Sequence, residues 1–283
     1  MINTLLWSSN VVNMKQKLSF IVAFAFLLAV FSGCSSIQKV ISTGDYDLIF
    51  DRGVVYYEAG KWTKALSLFE NCEGYYKGTT KEDTVAFYRA RCYFKDHDYM
   101  TASELFDEFR RTYNRSAFLE QAEAMYAICL YDMCPDPERD QSLTTNAIIA
   151  ISEFMSHYPQ SEQMPLFQDM ANDLRWRLCE KAYLNAYTYY KIERYNSAII
   201  AFRNALSKHP DSHRREDVMY YIVMSGYQLA ANSIPEKQLE RYMTMLDSYY
   251  SFIMEYPESK YKETVDKCAE EAKLFIEKNK QEE

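Results

Sequence analysis

Glycine and proline are scarce in this sequence. Its 283 residues contain 7 of each, whereas average usage of about 7% glycine and about 5% proline would supply roughly twice as many or more. Sandwiches, barrels and propellers need a turn about every ten residues, so the scarcity argues against these folds. Apolar residues make up 48% of the chain, which excludes disorder over most of its length. Long helices with short connections remain, and we predict an all-α fold.

Motifs of catalysis and cofactor binding are also missing. The sequence has no GxSxG, HExxH, CxxC, Walker A or GxGxxG motif. Four histidines fall in expected turns without the spacing of metal ligands: His97, His157, His209 and His213. The formal charge of −8 gives no general phosphate-binding surface. We therefore expect no enzyme, no metal site, no bound cofactor and no nucleic-acid partner.

One short hydrophobic segment lies near the N-terminus. Residues 18–31 are apolar except for Ser19, follow two lysines and precede two small residues, which is typical of a secretory signal peptide. As a helix this segment would be about 21 Å long, too short for a hydrocarbon core of about 30 Å. We predict a signal peptide over residues 1–33, with Met14 as the true start.

The end of the signal peptide indicates a lipid anchor. Phe31-Ser32-Gly33-Cys34 resembles the lipobox of bacterial lipoproteins, which implies cleavage before Cys34 and covalent lipid on its thiol and amine. Because each buried methylene contributes about 0.8 kcal/mol, three acyl chains hold a protein on a bilayer. No aspartate follows Cys34 to retain it in the inner membrane. We expect the periplasmic face of the outer membrane, with residues 34–44 as a polar tether and a mature charge of −10 once two lysines are removed.

A pattern of small and aromatic residues recurs along the mature chain. A small residue is followed by an aromatic residue or Leu at +3, Ala at +12, Phe at +16 and often Pro at +24, the order of the tetratricopeptide repeat (TPR). Three copies are close and two contain insertions; they are anchored at Gly53, Ala90, Ala127, Ala186 and Gly226. The small residues should lie where helices A and B of a repeat approach closely; in the fourth copy Tyr189 and Phe202 should surround Ala198. We predict a right-handed superhelical solenoid of about five TPR-like repeats over residues 45–278, and a charged tail at 279–283.

Six cysteines follow Cys34. They are Cys72, Cys92, Cys129, Cys134, Cys179 and Cys268. An oxidising periplasm permits disulfides, but Cys92 and Cys129 occupy equivalent positions in successive helices A. Burial as small hydrophobic residues is the simpler interpretation. Cys129 and Cys134 form the pair to test first for a bridge.

The anchor, tether and repeats together resemble the BamD family of outer-membrane assembly lipoproteins. The resemblance is most specific in residues 59–70, 94–109 and 189–212, and repeat one departs from it at Lys77. It implies an accessory subunit of the β-barrel assembly machinery that receives unfolded outer-membrane β-barrel proteins and docks on the POTRA domains of a BamA-like subunit. A generic periplasmic TPR adaptor, in division or peptidoglycan synthesis, is one alternative. A SusD-like glycan-binding lipoprotein is another, disfavoured because the mature chain has two tryptophans.

The repeat register predicts where a client would bind. In TPR stacks the inner groove is lined by helix A residues near the small anchor, here an aromatic trough that also holds two cations. Its predicted lining is Phe50, Val54, Tyr57, Phe87, Arg91, Phe94, Lys95, Ile128 and Tyr131. A barrel protein's last strand ends in an aromatic ring and a carboxylate, which the trough and Arg91 would bind; alternatively, these aromatics only pack helix against helix. Arg194 and Arg203 are the predicted POTRA contacts, with solvated helix residues as the alternative.

Overall fold

The computed structural model describes residues 37–281. The predicted signal peptide and Cys34 lie outside these residues. All regular secondary structure within them is α-helical, which confirms the prediction of an all-α fold. In this part of the chain, no helix combines the length and apolar character needed to cross a bilayer.

Helices follow one another in pairs along residues 46–255, and a final helix follows them. They are α1 (Tyr46–Glu58) with α2 (Trp62–Tyr76), α3 (Glu82–Lys95) with α4 (Tyr99–Thr112), α5 (Leu119–Asp132) with α6 (Ser142–His157), α7 (Met164–Lys191) with α8 (Tyr195–Lys208), α9 (Arg215–Ala231) with α10 (Pro235–Glu255), and α11 (Lys262–Gln281). The small anchor of every predicted repeat lies on the first helix of a pair and is buried. The five TPR-like repeats are therefore present in the predicted order.

The chain divides into two compact units, one ending at Cys129 and the other beginning at Leu130. In the first unit, α1 and α2 approach closely at Gly53. A Cβ atom at this position would lie 2.7 Å from the Phe69 ring, so a larger residue would force the two helices apart. Ile49, Ala65 and Phe69 are fully buried around this contact.

The N-terminal segment packs on the same hydrophobic cluster. Residues 37–41 form a helical turn, and Ile37, Val40 and Ile41 contact the core formed by α1 and α2. The predicted tether at 34–44 is thus partly folded, because its three apolar residues share one helical face that burial stabilises.

In the second unit, the repeat register holds at Ala198 but not at Tyr189. Ala198 and Phe202 are fully buried, whereas Tyr189 is 44% exposed. The ring of Tyr183, on the opposite side of the anchor Ala186, lies 6.2 Å from that of Phe202 instead. Tyr189 was therefore wrongly expected beside Ala198, because helix α7 directs Tyr183, six residues earlier, toward Phe202 on α8.

The two insertions are accommodated differently. In repeat three the extra residues form a loop closed by Gln141, whose amide donates to the carbonyls of Pro135, Asp136 and Arg139 at 3.4, 2.7 and 3.3 Å. In repeat five they lengthen the helices, since α9 has 17 residues and α10 has 21. Helix α11 likewise continues to Gln281, into the predicted charged tail.

Four inter-repeat turns use the same serine device. In each turn a serine hydroxyl accepts a hydrogen bond from the backbone N–H two residues later, at 3.0–3.3 Å. The serine N–H also donates to the carbonyl three residues earlier. The serines are Ser116, Ser161, Ser212 and Ser259. Each turn thus satisfies its own backbone groups through local side-chain bonds.

The turns inside three repeats require a left-handed backbone. Gly60, His97 and Glu193 occupy equivalent positions after the first helix of their pairs, with φ of 70°, 64° and 60°. Glycine adopts this region without strain, whereas residues with a Cβ do so at a cost. Of these three repeats, only repeat one has glycine, the residue that a left-handed backbone favours, at this position.

The cysteines behave as buried small residues. Cys72, Cys92, Cys129, Cys134 and Cys268 are at most 9% exposed, and burial raises the pKa of Cys92 to about 12. None of the six cysteines that the structure describes takes part in a disulfide, so the suggested Cys129–Cys134 bridge is not formed.

Candidate functional site

Arg91, in the first unit, has a guanidinium group that contacts three aromatic rings. Helix α3 places Phe87, Tyr88 and Arg91 on neighbouring positions of one face, three and four residues apart, and α1 supplies Tyr57. The guanidinium carbon lies 5.0 Å from the centre of the Tyr57 ring, 5.6 Å from that of Phe87 and 6.0 Å from that of Tyr88. These distances are those of cation–π contacts, which hold the guanidinium against the rings.

Two polar groups at this point are buried without a hydrogen-bond partner. They are the Arg91 Nε and the Tyr57 hydroxyl. Burial raises the pKa of Tyr57, so its hydroxyl keeps its proton and remains a donor at neutral pH. Among the residues that the structure describes, no carboxylate lies within ion-pair distance of Arg91, whereas Arg89 on the same helix pairs with Glu73. The arrangement therefore places two buried polar atoms beside a positive charge that no carboxylate of the described residues neutralises.

Three other predicted lining residues surround these groups at different depths. Phe50 and Val54 are half-buried and pack on the same cluster as Tyr57, with the Phe50 and Tyr88 ring centres 6.3 Å apart. Phe87 is 1% exposed and packs between Phe106 and Phe109 on α4. The prediction that Phe87 lines an open trough is therefore wrong: the residue is core beneath Arg91.

The remaining predicted lining residues lie farther along the chain. Phe94 packs against Tyr99, with ring centres 5.6 Å apart, and Lys95 and Ile128 are half-buried. Tyr131 belongs to the second unit, where its hydroxyl donates to Asp173 at 3.0 Å. The structure thus brings four of the nine predicted lining residues together in one cluster and leaves the other five outside it. The four are Phe50, Val54, Tyr57 and Arg91.

Tyr88 belongs to the site although sequence reasoning did not select it. Its ring contacts those of Phe50, Tyr57, Phe69 and Phe87 at 5.4–6.5 Å. The only signal in the sequence is its position three residues before Arg91, which places the two side chains on one helical face. The prediction selected the residues three before, one after and four after the anchor Ala90, and Tyr88, two residues before the anchor, is not among them.

A buried ion pair joins α7 to the start of α9 in the second unit. Glu180 is 8% exposed and accepts two hydrogen bonds from the Arg214 guanidinium, at 2.8 and 2.7 Å. His213 Nε2 lies 3.1 Å from the same carboxylate, and Arg214 also pairs with Asp217 at 3.0 Å. The hydrogen bonds from Arg214 lower the pKa of Glu180. Every charge in this network has a partner, so its role is to hold the two helices together.

The two arginines predicted to dock a partner differ in their surroundings. Both are exposed. Arg203 lines a groove formed by α8, α9 and α10, whereas Arg194 occupies the N-cap position of α8. The structure therefore separates two residues that the sequence had grouped.

Comparison with known proteins identifies the family. The sequence model of YfiO, described as an outer membrane lipoprotein, matches residues 44–184 and 177–276. This chain belongs to the YfiO family. The match covers both units and confirms the resemblance inferred from the repeats.

Two relatives of this protein are named for outer membrane protein assembly. The outer membrane protein assembly factor BamD of Caulobacter vibrioides is 22% identical over 218 residues, covering 75% of this chain and 70% of that one. The putative outer membrane protein assembly factor BamD of Aquifex aeolicus is 23% identical over 195 residues, covering 68% and 64%. Among solved structures, the complex of the TPR2AB domain of yeast Sti1 with pHSP90 aligns with a TM-score of 0.39 and 13% identity, covering 82% of this chain and 99% of that one.

Proposed function

We propose that this protein is an accessory lipoprotein of outer-membrane protein assembly, anchored through Cys34 on the periplasmic face of the outer membrane. Membership of the YfiO family supports the outer-membrane association, and the names of the two BamD relatives support the process. In this role the protein receives unfolded β-barrel clients on its first two repeats and docks on POTRA domains of a BamA-like subunit. It acts by binding, without catalysis.

The observation that carries the client site is the unpaired Arg91 above its aromatic rings. A carboxylate placed beside Arg91 would pair with the guanidinium, which has no carboxylate partner among the described residues. The Arg91 Nε and the Tyr57 hydroxyl are buried without a partner in the free protein, and a side-chain movement that opens the site would let both donate to the same carboxylate. An aromatic side chain next to that carboxylate would pack on the half-buried Phe50 and Val54. A C-terminal aromatic residue with a free carboxylate offers both features on one residue.

The carboxylate is the feature to test first. A charge-assisted hydrogen bond contributes about 1.5–3 kcal/mol, which corresponds to roughly a tenfold to hundredfold change in affinity. A dye-labelled peptide copied from the last strand of a barrel protein should therefore bind at least tenfold more tightly with a free C-terminus than with an amidated one. Fluorescence anisotropy on the full mature chain measures both affinities.

Two variants separate the client site from general charge. Arg91→Gln should abolish the preference for the free carboxylate, and Tyr57→Phe should reduce it while leaving the fold intact. Arg52→Gln is the matched control, because Arg52 is an exposed arginine of α1 and should leave the preference unchanged. Equal affinity for the acid and the amide, or an unchanged preference in Arg91→Gln, would remove the client assignment.

Docking is tested separately from client binding. Arg194→Glu and Arg203→Glu should each weaken a pull-down with a purified POTRA fragment at low salt and less so at high salt. A pull-down that neither variant weakens places the POTRA contact elsewhere. Failure of the wild-type protein to bind any POTRA fragment would favour the generic periplasmic adaptor.

A further inference from the structure

A groove of about 490 Å³ opens on the second unit, between α8, α9 and α10. Ile199, Leu229 and Met245 give it apolar walls, and Ile200, which is 55% exposed, lies at its edge. Gly226 also lines the groove, where its missing side chain lets α9 lie directly against Met245. A cavity of this size accommodates a few side chains of a ligand, rather than the face of a folded domain.

The rim of the groove is positively charged in an acidic protein. Arg203, Lys237 and Arg241 line it together with one carboxylate, that of Glu240. Arg241 donates to the hydroxyl of Ser233. Arg203 and Lys237 are exposed, and within residues 37–279 neither has a carboxylate partner. The groove thus carries an excess of two positive charges, although the chain as a whole has a formal charge of −8.

We propose that this groove binds an acidic peptide segment of a partner protein, in extended conformation, with carboxylates and apolar side chains alternating along it. Apolar side chains would enter between Ile199, Leu229 and Met245, and carboxylates would pair with Arg203 and Lys237. Opposite charges at the rim give specificity and fast association, while the apolar walls supply burial. This binding mode needs neither the Arg91 site nor a folded docking domain.

A simple probe tests the chemistry. The probe is a dye-labelled peptide of about ten residues in which leucine and glutamate alternate, with an amidated C-terminus so that it lacks the feature sought at Arg91. Its counterpart has glutamine in place of glutamate. In fluorescence anisotropy with the full mature chain, the acidic probe should bind, and the glutamine probe should bind at least tenfold more weakly.

Charge reversal assigns the binding to the groove. The double variant Arg203→Glu with Lys237→Glu should bind the acidic probe at least tenfold more weakly, and the loss should shrink at high salt. Arg175→Glu is the matched control: Arg175 is an exposed arginine of α7 in the same unit and does not line the groove, so the variant should change the affinity less than twofold. Arg91→Gln should bind like the wild type.

The apolar walls need their own variant. Ile200→Ser should weaken the acidic probe several-fold without changing the thermal melt, because Ile200 is already exposed in the free protein. Circular dichroism melts of all variants verify that the helices remain folded. An unaltered affinity in Ile200→Ser would contradict the inclusion of the apolar edge in the site.

Three outcomes would overturn the proposal. One is absence of probe binding to the wild type at millimolar peptide. Another is equal binding by the wild type and the charge-reversed double variant. The third is a wild type that binds phosphatidylglycerol vesicles but not the peptide, together with a double variant that no longer binds the vesicles. That result would make the groove a lipid-binding surface. None of these results bears on the carboxylate preference at Arg91. Arg203 is shared with the proposed POTRA contact, so that contact is judged by Arg194→Glu, which leaves the groove intact because Arg194 does not line it.

Discussion

Removing Arg214 tests how the buried ion pair supports the second unit. In Arg214→Met the methionine fills part of the same volume, but the Glu180 carboxylate loses two hydrogen bonds of 2.8 and 2.7 Å. Breaking a buried pair from one side costs about 3–5 kcal/mol, because a charge is left without compensation. The Arg214 side chain is 35% exposed, so water replaces part of the loss. We expect the free energy of unfolding to fall by about 2–4 kcal/mol at pH 7.

The pH dependence identifies the cause. In the wild type the pKa of Glu180 lies below its ordinary value of 4.5, so the pair stabilises the fold above that pH and the contribution is lost as pH falls through the lowered pKa. In Arg214→Met the lowering by Arg214 is gone, and Glu180 can take up a proton. The difference between the two proteins should therefore be largest near pH 7 and shrink below about pH 4.5.

A double variant provides the decisive control. Glu180→Leu with Arg214→Met replaces both charges by apolar groups, which is often neutral or stabilising, so it should recover at least half of the stability lost in Arg214→Met. Guanidinium denaturation followed by circular dichroism, at pH 7 and pH 4, gives the three free energies. A loss below about 0.5 kcal/mol in Arg214→Met, or a double variant no more stable than the single one, would refute the argument.

Three further predictions follow from the sequence and the fold. Cys34→Ala should leave the helical fold intact and release the protein from the membrane; fractionation with acyl labelling measures this, and membrane association of unlabelled wild type would count against the anchor. Ala198→Leu should lower the free energy of unfolding by about 1–3 kcal/mol through overpacking; a variant that melts like the wild type would contradict the register. Glu193→Gly should raise the free energy of unfolding by up to about 1 kcal/mol, and Gly60→Ala should lower it by about the same, because both backbones are left-handed; denaturant titration checks the opposite signs.

Much of the fold could be predicted because TPR anchors are constrained by volume. At Gly53 the neighbouring ring excludes a Cβ, and at Ala198 the side chain is fully buried, so a small residue is recognisable at each position. Tyr189 was misplaced because an aromatic residue fits several neighbouring helical positions, and the packing of α7 favours Tyr183 instead. Helix periodicity predicts which face of a helix carries the large buried residues, but it does not predict which residue of that face packs at a given contact.

The candidate site was harder to predict than the fold. The sequence pointed to Arg91 and to aromatic rings near it, but the absence of a carboxylate partner depends on side chains from other helices. Phe87 was expected at the surface because its distance from Ala90 fits the inner face, and only the packing of α4 shows that it is covered. The ion pair of Glu180 and Arg214 joins residues 34 positions apart, which no local pattern reveals.

The serine turns between repeats have a consequence for the order of events during folding. Each turn closes its hydrogen bonds over two or three residues of chain, so it can form as soon as those residues are free to fold. The contacts inside a helix pair are also local, and proteins dominated by local contacts fold quickly. During synthesis, when the chain emerges segment by segment, each helix pair can therefore form before the next one follows. The apolar face that is exposed at any moment is then about as long as one repeat.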